Sequence, residues 1–80
     1  MKKSDLKAVV AELIEVEPAD LETDTDLTTI DTFDSVSVLG LIVSLDDQFG
    51  IKMSSLDAQN LKHYGDFEKI ALSQGIELTD

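Results

Sequence analysis

Apolar residues recur along this chain with a helical period. Leu6, Val9, Val10, Leu13 and Ile14 stand at i, i+3, i+4, i+7 and i+8, which is one face of an amphipathic helix. Ser4 or Asp5 can cap its start, and Pro18 bars its continuation, because the residue before a proline resists helical geometry. The spacing predicts a helix over about residues 4–16. A second run carries Val38, Leu39, Ile42, Leu45 and Phe49. Asp34 and Ser35 precede it as N-cap residues, and Gly50 suits the left-handed position that ends a helix. This helix is expected over about 35–49. Ser54 and Ser55 can cap a short helix over about 55–61, holding Leu56, Ala58 and Leu61. Asp66 can cap a last one over about 66–74, with Phe67, Ile70 and Ala71 inward and Gly75 just past its end. Residues 76–80 are expected to form a frayed tail.

Residues 17–34 form a long acidic connection. Its threonines and aspartates favour turns over helix. Leu21, Leu27, Ile30 and Phe33 can pin it to the helices. So long a loop in a small domain is expected to be functional or well anchored. Three long apolar stripes and one short one predict an all-α fold, a small four-helix bundle around one core. Eighty residues make a single domain over 1–80. Gly40 weakens the second helix relative to alanine. It either lets another group approach closely or stands on a face where nothing does.

Charge sharpens the picture. The net charge is -11, from seventeen acids against six lysines. No basic residue lies between Lys7 and Lys52, and that interval holds Glu12, Glu15, Asp34, Asp46 and Asp47 among its acids. A field of one sign repels nucleic acid and anionic lipid, and it steers basic protein surfaces toward itself. Without cysteine there is neither a disulfide framework nor a thiolate metal site. A lone histidine, His63, has no evident partner with which to build a nucleophile–base set, so His63 and Tyr64 read as loop and core residues. Asp24-Thr25-Asp26 hints at a calcium loop, but Thr29 stands where glycine is needed and Ser35 where glutamate is. No metal site is expected. No apolar stretch is long enough to span a bilayer, and the N-terminus lacks a signal-peptide core. These features predict a soluble cytoplasmic monomer.

Ser35 is the residue with chemistry to offer. A serine at the start of a helix holds its hydroxyl in solvent. The free N–H groups and the positive end of the helix dipole favour an anion there. A phosphodiester attached to it would be tolerated. The dipeptide Asp-Ser before an apolar helix is by itself only a cap, so its setting has to decide.

That setting resembles the acyl carrier protein family over essentially the whole chain. The resemblance rests on Asp34-Ser35-Val36 opening the second helix, on the run from Leu41 to Ile51, and on the acidity, the long first loop and the helix spacing. It implies a covalent 4′-phosphopantetheine on Ser35, transferred from coenzyme A by a magnesium-dependent holo-carrier synthase (a phosphopantetheinyl transferase). The thiol of that arm would hold an acyl group as a thioester, and the protein would be a carrier rather than an enzyme. The resemblance further implies partner recognition through Val36 and Leu39. Asp46 and Asp47 would meet acyl-transferring or adenylate-forming enzymes with basic surfaces. Apolar helix faces would offer an acyl pocket, for which Val43, Leu45, Ile51, Met53, Leu61 and Phe67 are the candidates.

The sequence departs from the family pattern in three places. Ile30-Asp31-Thr32-Phe33 replaces the usual Leu-Gly before the attachment motif. Ser37 and Gly40 stand where acids are common. Lys52 and Ser54 change the linker after Phe49. These departures point to a specialised carrier, for fatty-acid, polyketide or related lipid synthesis. An aminoacyl carrier, such as one for D-alanine, an unmodified helical interaction module and a small acidic inhibitor or nucleic-acid mimic are the other readings.

Overall fold

In the computed structural model, which describes residues 2–79, four helices and two single 3₁₀ turns follow one another. They are α1 (Lys3–Leu13), the turns Pro18–Asp20 and Leu27–Thr29, α2 (Ser35–Phe49), α3 (Ser55–Gln59) and α4 (Gly65–Ser73). Among the described residues the only extended pairings are isolated bridges, Lys2 with Thr79 and Asp26 with His63. The all-α class expected from periodicity is the one observed.

Leu6, Val10 and Ile14 from α1 and its end, Leu41 and Leu45 from α2, and Phe67 and Ala71 from α4 are buried together. Burial of such side chains contributes about 1.5–3 kcal/mol each. Ile51 and Tyr64, from the links on either side of α3, complete this core. Lys7 Nζ lies 5.7 Å from the centre of the Tyr64 ring, a cation–π distance.

The ends of α1 differ from the expectation. Neither Ser4 nor Asp5 caps it. The helix begins at Lys3 without a side-chain cap, and the Lys3 N–H donates to the Thr79 carbonyl at 3.0 Å. The tail is therefore tied to the N-terminus, with Ile76 and Leu78 packed on the core. Asp80, the last residue of the expected frayed segment, lies outside the described residues.

At its other end α1 stops at Leu13, well before Pro18. Glu15 adopts a left-handed conformation with φ 58°, and the Val16 N–H turns back to the Ala11 carbonyl at 3.0 Å. This is a left-handed helix stop made without glycine. Thr32 Oγ1 donates to the Ile14 carbonyl, so a carbonyl left over at the helix end finds its partner in the loop that leads into α2.

The long loop is anchored at several points. Leu21 and Leu27 are fully buried, with Ile30 and Phe33 packed against the same core. The Glu22 N–H donates to Thr25 Oγ1 at 2.7 Å, and Asp26 caps the second 3₁₀ turn through the Thr28 N–H at 2.9 Å. The loop also pairs with the link before α4. The Leu27 N–H donates to the Lys62 carbonyl at 2.8 Å, and the Tyr64 N–H to the Thr25 carbonyl at 3.0 Å. Asp66 does not cap its own helix as expected. Its Oδ2 accepts from the Lys62 and His63 N–H groups, at 2.9 and 3.0 Å, and so closes the turn that feeds α4. Burial works to raise the Asp66 pKa, but those two backbone donors, together with the charges of Lys69 and His63, outweigh it and hold the carboxyl below its usual range.

Gly50 (φ 71°) and Gly75 (φ 81°) take the left-handed positions after α2 and α4, which glycine occupies without steric cost.

Candidate functional site

Asp34 is the N-cap of α2 and Ser35 its first residue. Asp34 Oδ1 accepts the Ser37 N–H at 2.9 Å, and Ser37 Oγ accepts the Asp34 N–H at 3.0 Å. This reciprocal pair is a capping box with serine in the place of the usual glutamate. The Ser37 N–H holds the exposed Asp34 carboxyl below its ordinary pKa, against a smaller opposing effect of burial. Ser37 Oγ also stands 2.8 Å from the Thr32 carbonyl, to which it can donate. Thr32 in turn holds the end of α1. The start of α2 is thus fixed from both sides.

The Ser35 hydroxyl takes no part in this network. Its side chain is exposed, and among the described residues none of the hydrogen bonds at the start of α2 engages it. An uncommitted hydroxyl at the positive end of a fifteen-residue helix fits a phosphodiester, both in access and in charge.

Beside Ser35 opens a cleft of about 540 Å³ between α2 and α3. Phe33, Val38, Leu39, Ile42, Ala58 and Leu61 form its apolar lining, and Thr28, Ser55 and Gln59 supply polar groups. A mostly apolar cleft with a few polar groups is the usual form of a small-molecule site. Of the pocket residues expected from sequence, Leu61 alone lines this cleft. Met53 lines a neighbouring one of about 370 Å³ with Asp46, Lys52 and Asp57. Leu45, Ile51 and Phe67 are buried in the core. Val43 is 67% exposed and faces outward, away from this cleft, beside Ile42, Asp46 and Asp47. The reason is rotational. Leu41 and Leu45 form the buried edge of α2, which turns Val43 to the opposite side.

Val36 is 76% and Leu39 61% exposed. With Val43 they make a solvent-facing apolar stripe at i, i+3 and i+7. Leu39 therefore does not belong to the buried face that periodicity alone gives it. Leu56, on α3, is also exposed. Asp46 is paired with Lys52 at 2.6 Å, whereas Asp47 is exposed and makes no such pair among the described residues.

Sequence reasoning missed Ser37 and Thr32 as the supports of the site. An Asp-x-x-Ser spacing at a helix start was the available signal for Ser37. Thr32 carried none, because its partner belongs to another helix. No cluster of metal-binding side chains occurs among the described residues, and no described helix is long and apolar enough to cross a membrane.

Fold and site together define a small helical scaffold that presents a serine at a helix start. Comparison with known proteins agrees. Residues 4–69 match the family model described as the phosphopantetheine attachment site. The acyl carrier proteins of Chlamydia trachomatis serovars L2, D and A are each 30% identical to this chain over 67 residues, covering 84% of it and 87% of the relative. The chain belongs to the phosphopantetheine-binding acyl carrier family. Its prosthetic group is covalently attached 4′-phosphopantetheine. Proteins of this family are carriers rather than catalysts, and they work with phosphopantetheinyl transferases and biosynthetic enzymes.

Proposed function

We propose that Ser35 carries the 4′-phosphopantetheine arm and that the loaded protein presents an acyl group, as a thioester, to enzymes of fatty-acid, polyketide or related lipid synthesis. The observation that carries this reading is the exposed, uncommitted Ser35 hydroxyl on the first residue of α2, beside the capping Asp34. Oγ attacks the phosphorus of coenzyme A that bears the pantetheine, the pyrophosphate bond breaks, adenosine 3′,5′-bisphosphate leaves, and the hydroxyl proton goes to a base on the transferase. The attached group supplies a terminal thiol for the thioester. The chain's own residues hold the attachment point rigid and offer the α2–α3 cleft as a resting place for the cargo.

Encounter follows charge. The acidic surface draws basic partners, while Val36 and Leu39 orient them by short-range burial. Such a surface supports a monomer that diffuses in the cytoplasm between enzymes. Tethering the cargo raises its effective concentration at each of them.

Intact-protein mass after incubation with coenzyme A, magnesium and a phosphopantetheinyl transferase tests the proposal. The wild type should gain one pantetheine arm, and Ser35→Ala should fold normally and stay at the unmodified mass. A modified Ser35→Ala protein would move the attachment point elsewhere. An unmodified wild type would return the chain to the reading as a bare interaction module.

A further inference from the structure

Asp34 stands on a ridge between two clefts. One is the apolar cleft toward α3. The other, of about 410 Å³, lies between the end of α1 and the start of α2 and is lined by Glu12, Leu13, Glu15, Asp34 and Val36, with Thr32 and Ser37. The polar groups of this second cleft are not alike. The Thr32 hydroxyl is spent on the Ile14 carbonyl, and Ser37 Oγ is spent on the cap. What remains for an incoming group is an apolar floor of Leu13 and Val36, rimmed by three carboxylates.

α2 and the whole loop before it contain no lysine or arginine, and Lys7 of α1 lies over the Tyr64 ring. The ion pair between Lys52 and Asp46 stands near the other end of α2 and does not belong to this cleft. Within α2 itself no acid occurs between Asp34 and Asp46. The negative charge that joins Asp34 on this cleft comes from Glu12 in α1 and from Glu15 just past its end.

An apolar floor with an anionic rim matches one kind of occupant, the side chain of lysine or arginine. Its methylene stem covers apolar surface while its charged head reaches the rim. A small apolar ligand would leave the carboxylates unanswered, and a nucleic acid would be repelled. The cleft is also continuous, through the exposed Val36, with the apolar stripe on α2. We propose that the α1–α2 cleft receives a basic side chain of the phosphopantetheinyl transferase, which thereby approaches Ser35 from the α1 side while Val36 and Leu39 are covered. This rests on Ser35 being the attachment point and adds a second line of contact, on α1, to the one expected along α2.

Steady-state transfer from coenzyme A, followed by intact mass, tests it with the full chain. The variant Glu12→Gln/Glu15→Gln keeps side-chain shape and removes two charges from the cleft. The control Glu22→Gln/Asp24→Asn removes two charges from the exposed loop. The cleft variant should lose roughly three- to tenfold in kcat/KM, entirely through KM, with kcat unchanged and with more than twice the loss of the control. Equal losses in the two would reduce the effect to the overall field and overturn the proposal, as would an unchanged KM. If Glu15→Gln disturbs the helix end, seen as a lowered Tm, Glu12→Gln alone should still raise KM above a single-charge control, and its failure to do so counts equally against the cleft. A wild type that gains no mass would remove the attachment reading and this one together. A modified wild type with indifferent cleft variants would remove this one only.

Discussion

Gly65 and Thr23 are in closer contact than any side chain at position 65 allows. The Gly65 N–H donates to the Thr23 carbonyl at 2.9 Å, and a Cβ at Gly65 would stand 2.7 Å from Thr23 Cγ2 and 2.8 Å from the Thr23 carbonyl oxygen. The backbone oxygen cannot be moved aside by a rotamer change. Gly65→Ala should therefore force the loop away from α4 and cost about 1–3 kcal/mol, the usual range for overpacking. Urea unfolding monitored by circular dichroism would measure this. A neutral substitution would show that the loop shifts freely.

Gly40 predicts the opposite sign. A Cβ there would meet only Leu13 Cδ2, at 3.6 Å, which is ordinary packing. The two readings of this glycine are thus resolved by its neighbour: a methyl fits. Gly40→Ala should stabilise the protein by about 0.5–1 kcal/mol through helix propensity, with Tm rising by several degrees for a domain of this size. A fall in Tm would mean that α1 and α2 approach more closely than these contacts indicate.

Acid should destabilise the fold through three carboxylates. Asp26, Asp34 and Asp66 all titrate below the usual 3.8 in the native state. For Asp26 the Thr28 hydroxyl is the chief cause. As pH falls the unfolded chain takes up their protons first, so their stabilisation is complete above the ordinary carboxylate range. It is lost as pH drops through the lower native values. Asp66→Asn retains an acceptor for the Lys62 and His63 N–H groups but does not titrate. Its unfolding free energy should change less steeply between about pH 5 and 3 than that of the wild type. Identical slopes would show that Asp66 contributes nothing to acid unfolding.

Asp46 and Asp47 should contribute unequally to partner encounter. Lys52 already partners Asp46, so removing the Asp46 charge also frees a lysine, whereas Asp47→Asn removes a charge with no such pair. Stopped-flow association with the transferase at low salt should resolve the two variants from each other. Rising salt should shrink the difference as the Debye length falls to about 8 Å at physiological ionic strength. Val36→Ala should instead act on dissociation, because it removes short-range burial. An effect of Val36→Ala confined to the on-rate would contradict that division between field and contact.

The sequence announces some of these features and conceals others for physical reasons. The start of α2 is legible because Asp34 acts locally, on an N–H three residues ahead. The Gly50 stop is legible for the same reason. The end of α1 is concealed, since Glu15 takes the left-handed conformation without the glycine that normally marks it. Gly65 gives no sign of its contact because Thr23 is distant in sequence. The outward turn of Val43 is concealed because α2 carries apolar residues nearly all round: Val36, Val38, Leu39, Leu41, Ile42, Val43 and Leu45. Periodicity cannot choose a face from such a run, and the burial of Leu41 and Leu45 in the shared core does.

The pairing of the first loop with residues 62–65 has a bearing on the order of events during synthesis. The segment that leads to Ser35 is held at Leu27 and Thr25 by backbone partners, Lys62 and Tyr64, that emerge from the ribosome much later.

 Contacts between distant parts of a chain close slowly, because loop entropy must be overcome before they form. Leu27 and Thr25 can therefore be fixed only after the chain has been made past Tyr64. A transferase that needs a settled Ser35 would then act on chains in which this pairing has formed and pass over nascent ones in which it has not.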